Sequence, residues 1–265
     1  MPGEYRARQA ELAAQSTGVG AIPCEIAYRD GEHQTWARAQ KQLVPIWERY
    51  AARELVAARQ QLGLPQNEIP QLSLVSERVF AETGFRFASV PGTVSGLDFF
   101  GALAKRVFPS TQFIRWSGDP GYTPEPDVLH EIGGHAHSLM EPRLAELHQL
   151  AGRASIADPA KLSEIAAAFW YSIEFGVVAA TTDTAHGPKA YGAGLLSSPG
   201  ELGWFAEHAD IRPLDIDAML ATPYDIHHFQ PVLFCADSLD HVLDEVGGYF
   251  HSIISQPTPP RPKGI

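Results

Sequence analysis

Cysteine is nearly absent: Cys24 and Cys235 are the only two in 265 residues, far apart in the chain. Two isolated thiols make no disulfide framework, and the default expectation is a reducing cytoplasm. No apolar run approaches the length of a membrane span, so no membrane partner is expected. The opening Met-Pro-Gly-Glu-Tyr-Arg-Ala-Arg lacks the apolar core of a secretory signal. Positive charge is short as well: 20 Lys and Arg stand against 31 Asp and Glu, a net charge of −11. That balance argues against a nucleic-acid backbone as partner. The glycines of Tyr191-Gly-Ala-Gly194 are followed by neither G-x-x-G nor Gly-Lys-Thr, which excludes a phosphate loop there. There is no internal repeat, low-complexity tract or domain linker. What remains is 45% hydrophobic and 19% charged, ordinary for a soluble globular chain, and long enough for one large domain with a sizeable core.

Residues 1–31 are polar, small and glycine-punctuated, and read as an N-terminal arm, partly disordered. Trp36, Leu43, Trp47, Tyr50, Leu55 and Ala58 recur at helical intervals from about Glu32 to Leu62, with Pro45 expected to break that helix in two. A helix over about Gln71–Thr83, a strand at Phe85–Val90, a helix capped by Asp98 and a strand at Thr111–Trp116 follow. Beyond the central motif, helices are expected over about Glu141–Ala151, after Asp158-Pro159, after Ser197-Ser198-Pro199, and from Asp237 or Ser238 to Ile254. Residues 181–188 read as a loop. The sum is a mainly α domain with a few short β-strands over residues 32–255, and a tail at 256–265.

The stretch that carries chemistry is Pro124-Glu-Pro-Asp-Val-Leu-His130-Glu-Ile-Gly-Gly-His135-Ala-His137. Asp127 is a good N-cap for a helix starting at Val128. Five residues place His130 and His135 roughly 140° apart on an ideal α-helix, too wide for one metal ion. Gly133-Gly134 is the expected remedy, as a pair of glycines that bends the helix before His135. The spacing is one residue longer than the zinc-protease pattern H-E-x-x-H. Glu174 lies in an otherwise apolar helix whose expected stripe is Ile165, Phe169, Ile173 and Val177, and a buried carboxylate needs a partner. An Arg or Tyr is one such partner, and a metal shared with His130 and His135 is the other. Two histidines and a carboxylate with open positions suit a non-haem Fe(II) that activates O2. Zinc with two His, a Glu and water competes with it. Glu131 is a base, a support for the ligands, or a helix-terminal acid. His137 reads as a hydrogen-bonded or surface histidine more than a fourth ligand. Phe99, Phe100, Phe169 and Trp170 are simplest as core residues, and would also wall a pocket for a flat heterocycle. Arg115 suits an anionic substrate group.

At these residues the chain resembles the pterin-dependent aromatic amino acid hydroxylases, most closely the short bacterial phenylalanine hydroxylases. The resemblance runs from about Glu32 to about Leu243 and is carried by Thr123–His135, Trp170–Gly176 and Tyr191–Ser198, three motifs in the family's order. It implies the hydroxylase fold and an Fe(II) held by His130, His135 and Glu174. It also implies tetrahydrobiopterin or a related tetrahydropterin as electron donor, and O2 as co-substrate. Phe99 matches the phenylalanine that stacks on the pterin and Glu131 the acid near it. Arg115 and Thr123 match the residues that hold the amino acid's carboxylate and backbone, Ser197 a position in the substrate site, and Pro126 and Trp170 the walls around the substrate ring. A small, unregulated monomer is the implied assembly.

The expected reaction is L-phenylalanine to L-tyrosine, because Trp170 keeps the bulky wall of phenylalanine and tyrosine hydroxylases. Tryptophan 5-hydroxylation is the runner-up, followed by phenylalanine hydroxylation at another ring carbon. A zinc hydrolase and a metal-binding protein without turnover are the readings from other classes. Phe169 stands for the more usual tyrosine, and Gly133, His137, Leu233 and Cys235 also depart from the family pattern, which points to a reshaped pocket.

Overall fold

The computed structural model of the protein describes residues 3–116, 125–180, 187–226 and 228–258. Its first element, α1 (Gly3–Ala13), lies within the stretch that reads as an arm. Arg8 anchors it, donating to Glu32 at 2.9 and 3.0 Å and to the Ala27 carbonyl at 2.8 Å. A small cluster of Leu12, Ile26 and Phe113 adds the apolar contact. An ion pair and one leucine leave no periodic apolar stripe, so the helix is hidden from pattern reading.

Two helices follow, α2 (Asp30–Tyr50) and α3 (Arg53–Leu62), and the expected stripe from Trp36 to Ala58 is buried. Pro45 does not break α2. Pro45 and Lys41, whose carbonyl loses its helical partner, both lie on the exposed face, where that carbonyl is open to solvent. The break falls instead at Ala51 and Ala52, in extended conformation, where the Ala52 N–H donates to the Ala190 carbonyl at 2.8 Å. A distant pairing sets this boundary, not local propensity.

Next come α4 (Leu72–Thr83), β1 (Arg86–Ser89), α5 (Gly96–Leu103) and β2 (Val107–Ser110), with β1 and β2 parallel. Ser95, not Asp98, caps α5: its Oγ accepts from the Asp98 N–H at 3.2 Å while its hydroxyl meets the Asp98 carboxylate at 2.6 Å. The second strand is at 107–110, and the expected strand at 111–116 does not form. Then α6 (Val128–His130), a π turn (Glu131–Ala136) and α7 (His137–Met140) run on without a break. After α8 (Pro142–Ala157) and a 3-10 turn (Pro159–Lys161) capped by Asp158 as expected, α9 (Leu162–Phe169) passes into a second π turn (Trp170–Glu174).

The rest is β3 (Val177–Val178), β4 (Lys189–Ala190), α10 (Ala193–Leu196), α11 (Pro199–His208), β5 (Asp210–Pro213), α12 (Ile216–Ala221), β6 (Val232–Ala236), α13 (Leu239–Val242), a third π turn (Leu243–Gly247) and α14 (Gly248–Ser255). Ser198 and Ser238 cap α11 and α13 as the sequence suggests. Strand order is β4-β3-β6-β5, antiparallel only at β3–β4. Most of the loop read at 181–188 lies outside the described residues. The expected mainly helical domain with a few short strands is what forms.

The short α10 sits where the first two π turns meet, and glycines on both sides allow it. A Cβ on Gly134 would lie 2.5 Å from the Ala193 carbonyl oxygen, and one on Gly192 2.4 Å from the Glu174 carbonyl oxygen. At Gly133 a Cβ would meet only Leu129 Cδ1, at an ordinary 3.5 Å. Gly134→Ala is therefore expected to lower stability by about 1–3 kcal/mol through overpacking. Gly133→Ala should leave it unchanged or raise it slightly, since alanine favours the helix. Chemical denaturation midpoints check the pair, and equal effects would contradict this account of the contact.

Candidate metal centre

The 140° divergence of His130 and His135 is removed by the π turn, not by a glycine bend. Its backbone bonds close on the carbonyl five residues back, so residues five apart stand one above the other. His130 Nε2 and His135 Nε2 end up 3.2 Å apart. The second π turn works on the other helix: the Phe175 N–H donates to the Trp170 carbonyl at 2.9 Å, across five residues. Glu174 leaves that turn with Oε1 3.0 Å from His135 Nε2 and Oε2 3.6 Å from His130 Nε2. Three donor atoms from two helices thus face one point.

Both imidazoles are fixed in the tautomer a cation needs. Ser197 Oγ donates to the Gly194 carbonyl at 3.2 Å, leaving a lone pair for His130 Nδ1–H at 3.0 Å. His148 Nδ1 donates to the Leu144 carbonyl at 2.7 Å, and its Nε2 lies 3.5 Å from His135 Nδ1. Each relay ends on a carbonyl, which can only accept. The relays favour the proton on Nδ1 of both rings, which leaves both Nε2 atoms facing Glu174. Burial lowers His130 to about 4 and His135 to about 3, so both rings are neutral near pH 7.

Burial pushes the carboxyls of Glu131 and Glu174 above the usual range, and the charge of Glu174 raises Glu131 further. A buried and a half-buried carboxyl beside neutral imidazoles form a site short of positive charge, which a divalent cation would correct. Glu131 also has a donor atom within 4.8 Å of both imidazoles. Glu174 is the better placed of the two acids, because it contacts both Nε2 atoms. Glu131 Oε1 instead accepts from the Thr111 N–H at 3.5 Å.

Two cavities meet at these donors. One, of about 310 Å³, is walled by Arg115, Pro126, Trp170 and Ser197; the other, of about 270 Å³, by Phe99, Glu131, His135 and again Pro126. His130 and Glu174 belong to both. Arg115 is buried, with Nε and Nη2 on the two oxygens of Asp127 at 2.9 and 2.8 Å. Asp127 also caps α6 through the His130 N–H, so the guanidinium and the first histidine share one anchor. Trp170 stacks on Tyr224 with centroids 4.6 Å apart and donates to Gln230 Oε1 at 3.0 Å. Phe99 is half-buried, edge-on to Phe100, Phe108 and Phe169. Thr123 lies outside the described residues.

His137 is buried, not a surface residue, with Nδ1 2.9 Å from the Gly133 carbonyl and its ring edge-on to Trp47. Gly133, His137, Leu233 and Cys235 line neither cavity, and Leu233 is fully buried in β6. The pocket reshaping expected from those four positions has no support in these walls. Ser197 does more than wall the first cavity, since it also backs His130. His148, Tyr224 and Gln230 were not legible as site residues. A histidine on an amphipathic helix and a polar pair in the connection between α12 and β6 carry no spacing signal.

The family model described as "Biopterin-dependent aromatic amino acid hydroxylase" matches residues 2–258. The phenylalanine 3-hydroxylase of Streptomyces coeruleorubidus is 40% identical over 93% of this chain and 88% of its own length. The human phenylalanine-4-hydroxylase is 34% identical over 98% of this chain, which spans 57% of that enzyme. Among solved structures, the Chromobacterium violaceum phenylalanine hydroxylase with bound Fe(III) superposes with a TM-score of 0.82 at 25% identity, over 96% of this chain and 93% of that one.

The geometry predicts that His130→Ala or His135→Ala lowers divalent-metal affinity by more than about 100-fold, beyond the ~10–100-fold that loss of an outer partner costs. Equilibrium dialysis with elemental analysis measures it. Stoichiometric metal in both variants would contradict the assignment.

Proposed function

This chain belongs to the biopterin-dependent aromatic amino acid hydroxylases, and from that premise we propose that it hydroxylates the ring of free L-phenylalanine. The observation that carries the reading is the pair of cavities meeting at His130, His135 and Glu174. Two imidazole nitrogens and one carboxylate leave coordination positions open, the donor set that suits iron(II). Bound there, the iron and a tetrahydropterin supply O2 activation and the two electrons the hydroxylation needs.

The chain's own residues bind, orient and exclude water. Arg115, fixed by Asp127, presents a guanidinium to the amino acid's carboxylate. Trp170, held by Tyr224 and Gln230, forms the wall against the substrate ring. Across the centre, Phe99 offers an aromatic surface to the flat pterin. Glu131 stands on the same wall, with Oε1 3.5 Å from the Thr111 N–H and its carboxyl pushed above the usual range by burial. Thr123 completes the amino acid's backbone contacts in this reading. Substrate and pterin filling these walls would keep water from the reacting atoms.

The ring carbon is the finer part of the proposal. The Streptomyces relative favours carbon 3 over the carbon 4 that the sequence reading put first. Iron-loaded enzyme with tetrahydrobiopterin and O2, given phenylalanine, tyrosine and tryptophan separately, is expected to consume phenylalanine fastest and release meta-tyrosine. Chromatography with mass spectrometry reads the product. Para-tyrosine would move the reaction to carbon 4. Hydroxytryptophan with phenylalanine barely consumed would refute the substrate.

A further inference from the structure

His148 is the one fully buried histidine on α8, and it walls neither cavity. Its ring sits edge-on among Phe85, Phe108 and Phe169, with centroids 6.1, 6.2 and 5.5 Å away. An apolar side chain would fill such a box without the desolvation cost of an imidazole. Its polar atoms therefore call for a role. Nδ1 donates to the Leu144 carbonyl at 2.7 Å, one helical turn back, which fixes the proton on that nitrogen. Nε2 is left as an acceptor, and the donor before it is His135 Nδ1–H at 3.5 Å. Among the described residues His135 Nδ1 has no other recorded hydrogen bond.

We propose that His148 is a positioning residue for the metal centre: as acceptor for His135 Nδ1–H, it holds the tautomer and ring angle that point His135 Nε2 at the metal. The inference rests on the metal-site reading above. Without His148, the buried His135 ring would have no partner for Nδ1–H and could carry its proton on Nε2, where a cation cannot bind. Ser197 plays the equivalent part for His130, again backed by a main-chain carbonyl. When His135 Nε2 gives electron density to a cation, Nδ1–H becomes the stronger donor, and the 3.5 Å contact is expected to tighten. A purely structural His148, satisfied by Leu144 alone, would stabilise the core without bearing on the metal.

His148→Leu and His148→Gln separate these roles, because glutamine keeps an acceptor oxygen and leucine does not. The readouts are the unfolding midpoint of the metal-free protein, the Co(II) dissociation constant by chelator competition, and the visible Co(II) spectrum. His148→Leu is expected to bind Co(II) about 10–100-fold more weakly with an altered spectrum, and His148→Gln to recover most of the loss. Unchanged affinity and spectrum in His148→Leu would overturn the inference. So would equal losses in both variants that track their stability. Wild-type protein that holds no Co(II) would overturn the metal-site reading and this inference together. Should the leucine variant not fold, 15N NMR of the wild type decides: His135 protonated on Nδ1 supports the relay, and protonated on Nε2 refutes it.

Discussion

Five residues separate His130 from His135, and an α-helix would turn their side chains roughly 140° apart. The rest of the site depends on how the backbone removes that angle. A π turn does so without leaving helical conformation, with His130 at φ −72°, ψ −50° and Ala136 at φ −62°, ψ −37°. A second π turn delivers Glu174 from the end of α9, and α10 is packed against both. Isolated wide turns of this kind are held by their surroundings more than by propensity. Gly134 and Gly192 admit α10 at distances no side chain would allow, and Asp127 ties the start of α6 to Arg115.

The same packing sets the electrostatics. Burial that lowers the histidines also raises Glu131 and Glu174, so the centre favours a cation over protons on its imidazoles. Side chains anchored to the Gly194 and Leu144 carbonyls keep both Nε2 lone pairs pointing inward. The cavities on either side divide the labour that a hydroxylase needs. In the proposed reading, one offers Arg115 and Trp170 to an amino acid and the other Phe99 and Glu131 to a heterocycle. His130 and Glu174 line both cavities, so a metal held by them would lie between the two proposed binding sides.

Much of this was legible in the sequence, for identifiable reasons. The Asp127 cap, the Asp158-Pro159 start and the Trp36–Ala58 stripe are local signals, and they held. His130, His135 and Glu174 were grouped by the family resemblance, since the apolar helix around Glu174 asked for a partner but left an Arg or Tyr equally open. The device that aligns them could not be read, because nothing in Glu131–Ala136 distinguishes a π turn from a kinked α-helix. The glycines suggested a bend, whereas Gly134 serves contact with α10 and Gly133 has room to spare. Pro45 and Ala51 show the same limit: an exposed proline is tolerated, and a pairing with Ala190 ends the helix. His148 was invisible for a related reason, since its partner is brought to it only by the packing of α8 behind the π turn.

The central claim is that two π turns present His130 Nε2, His135 Nε2 and a Glu174 oxygen to one metal ion. Anomalous diffraction at the iron edge, from crystals loaded with Fe(II) under anaerobic conditions, tests it most directly. The account predicts a single peak bonded to those three atoms. A peak bonded to Glu131 in place of Glu174, or to Nδ1 of either histidine, would contradict it.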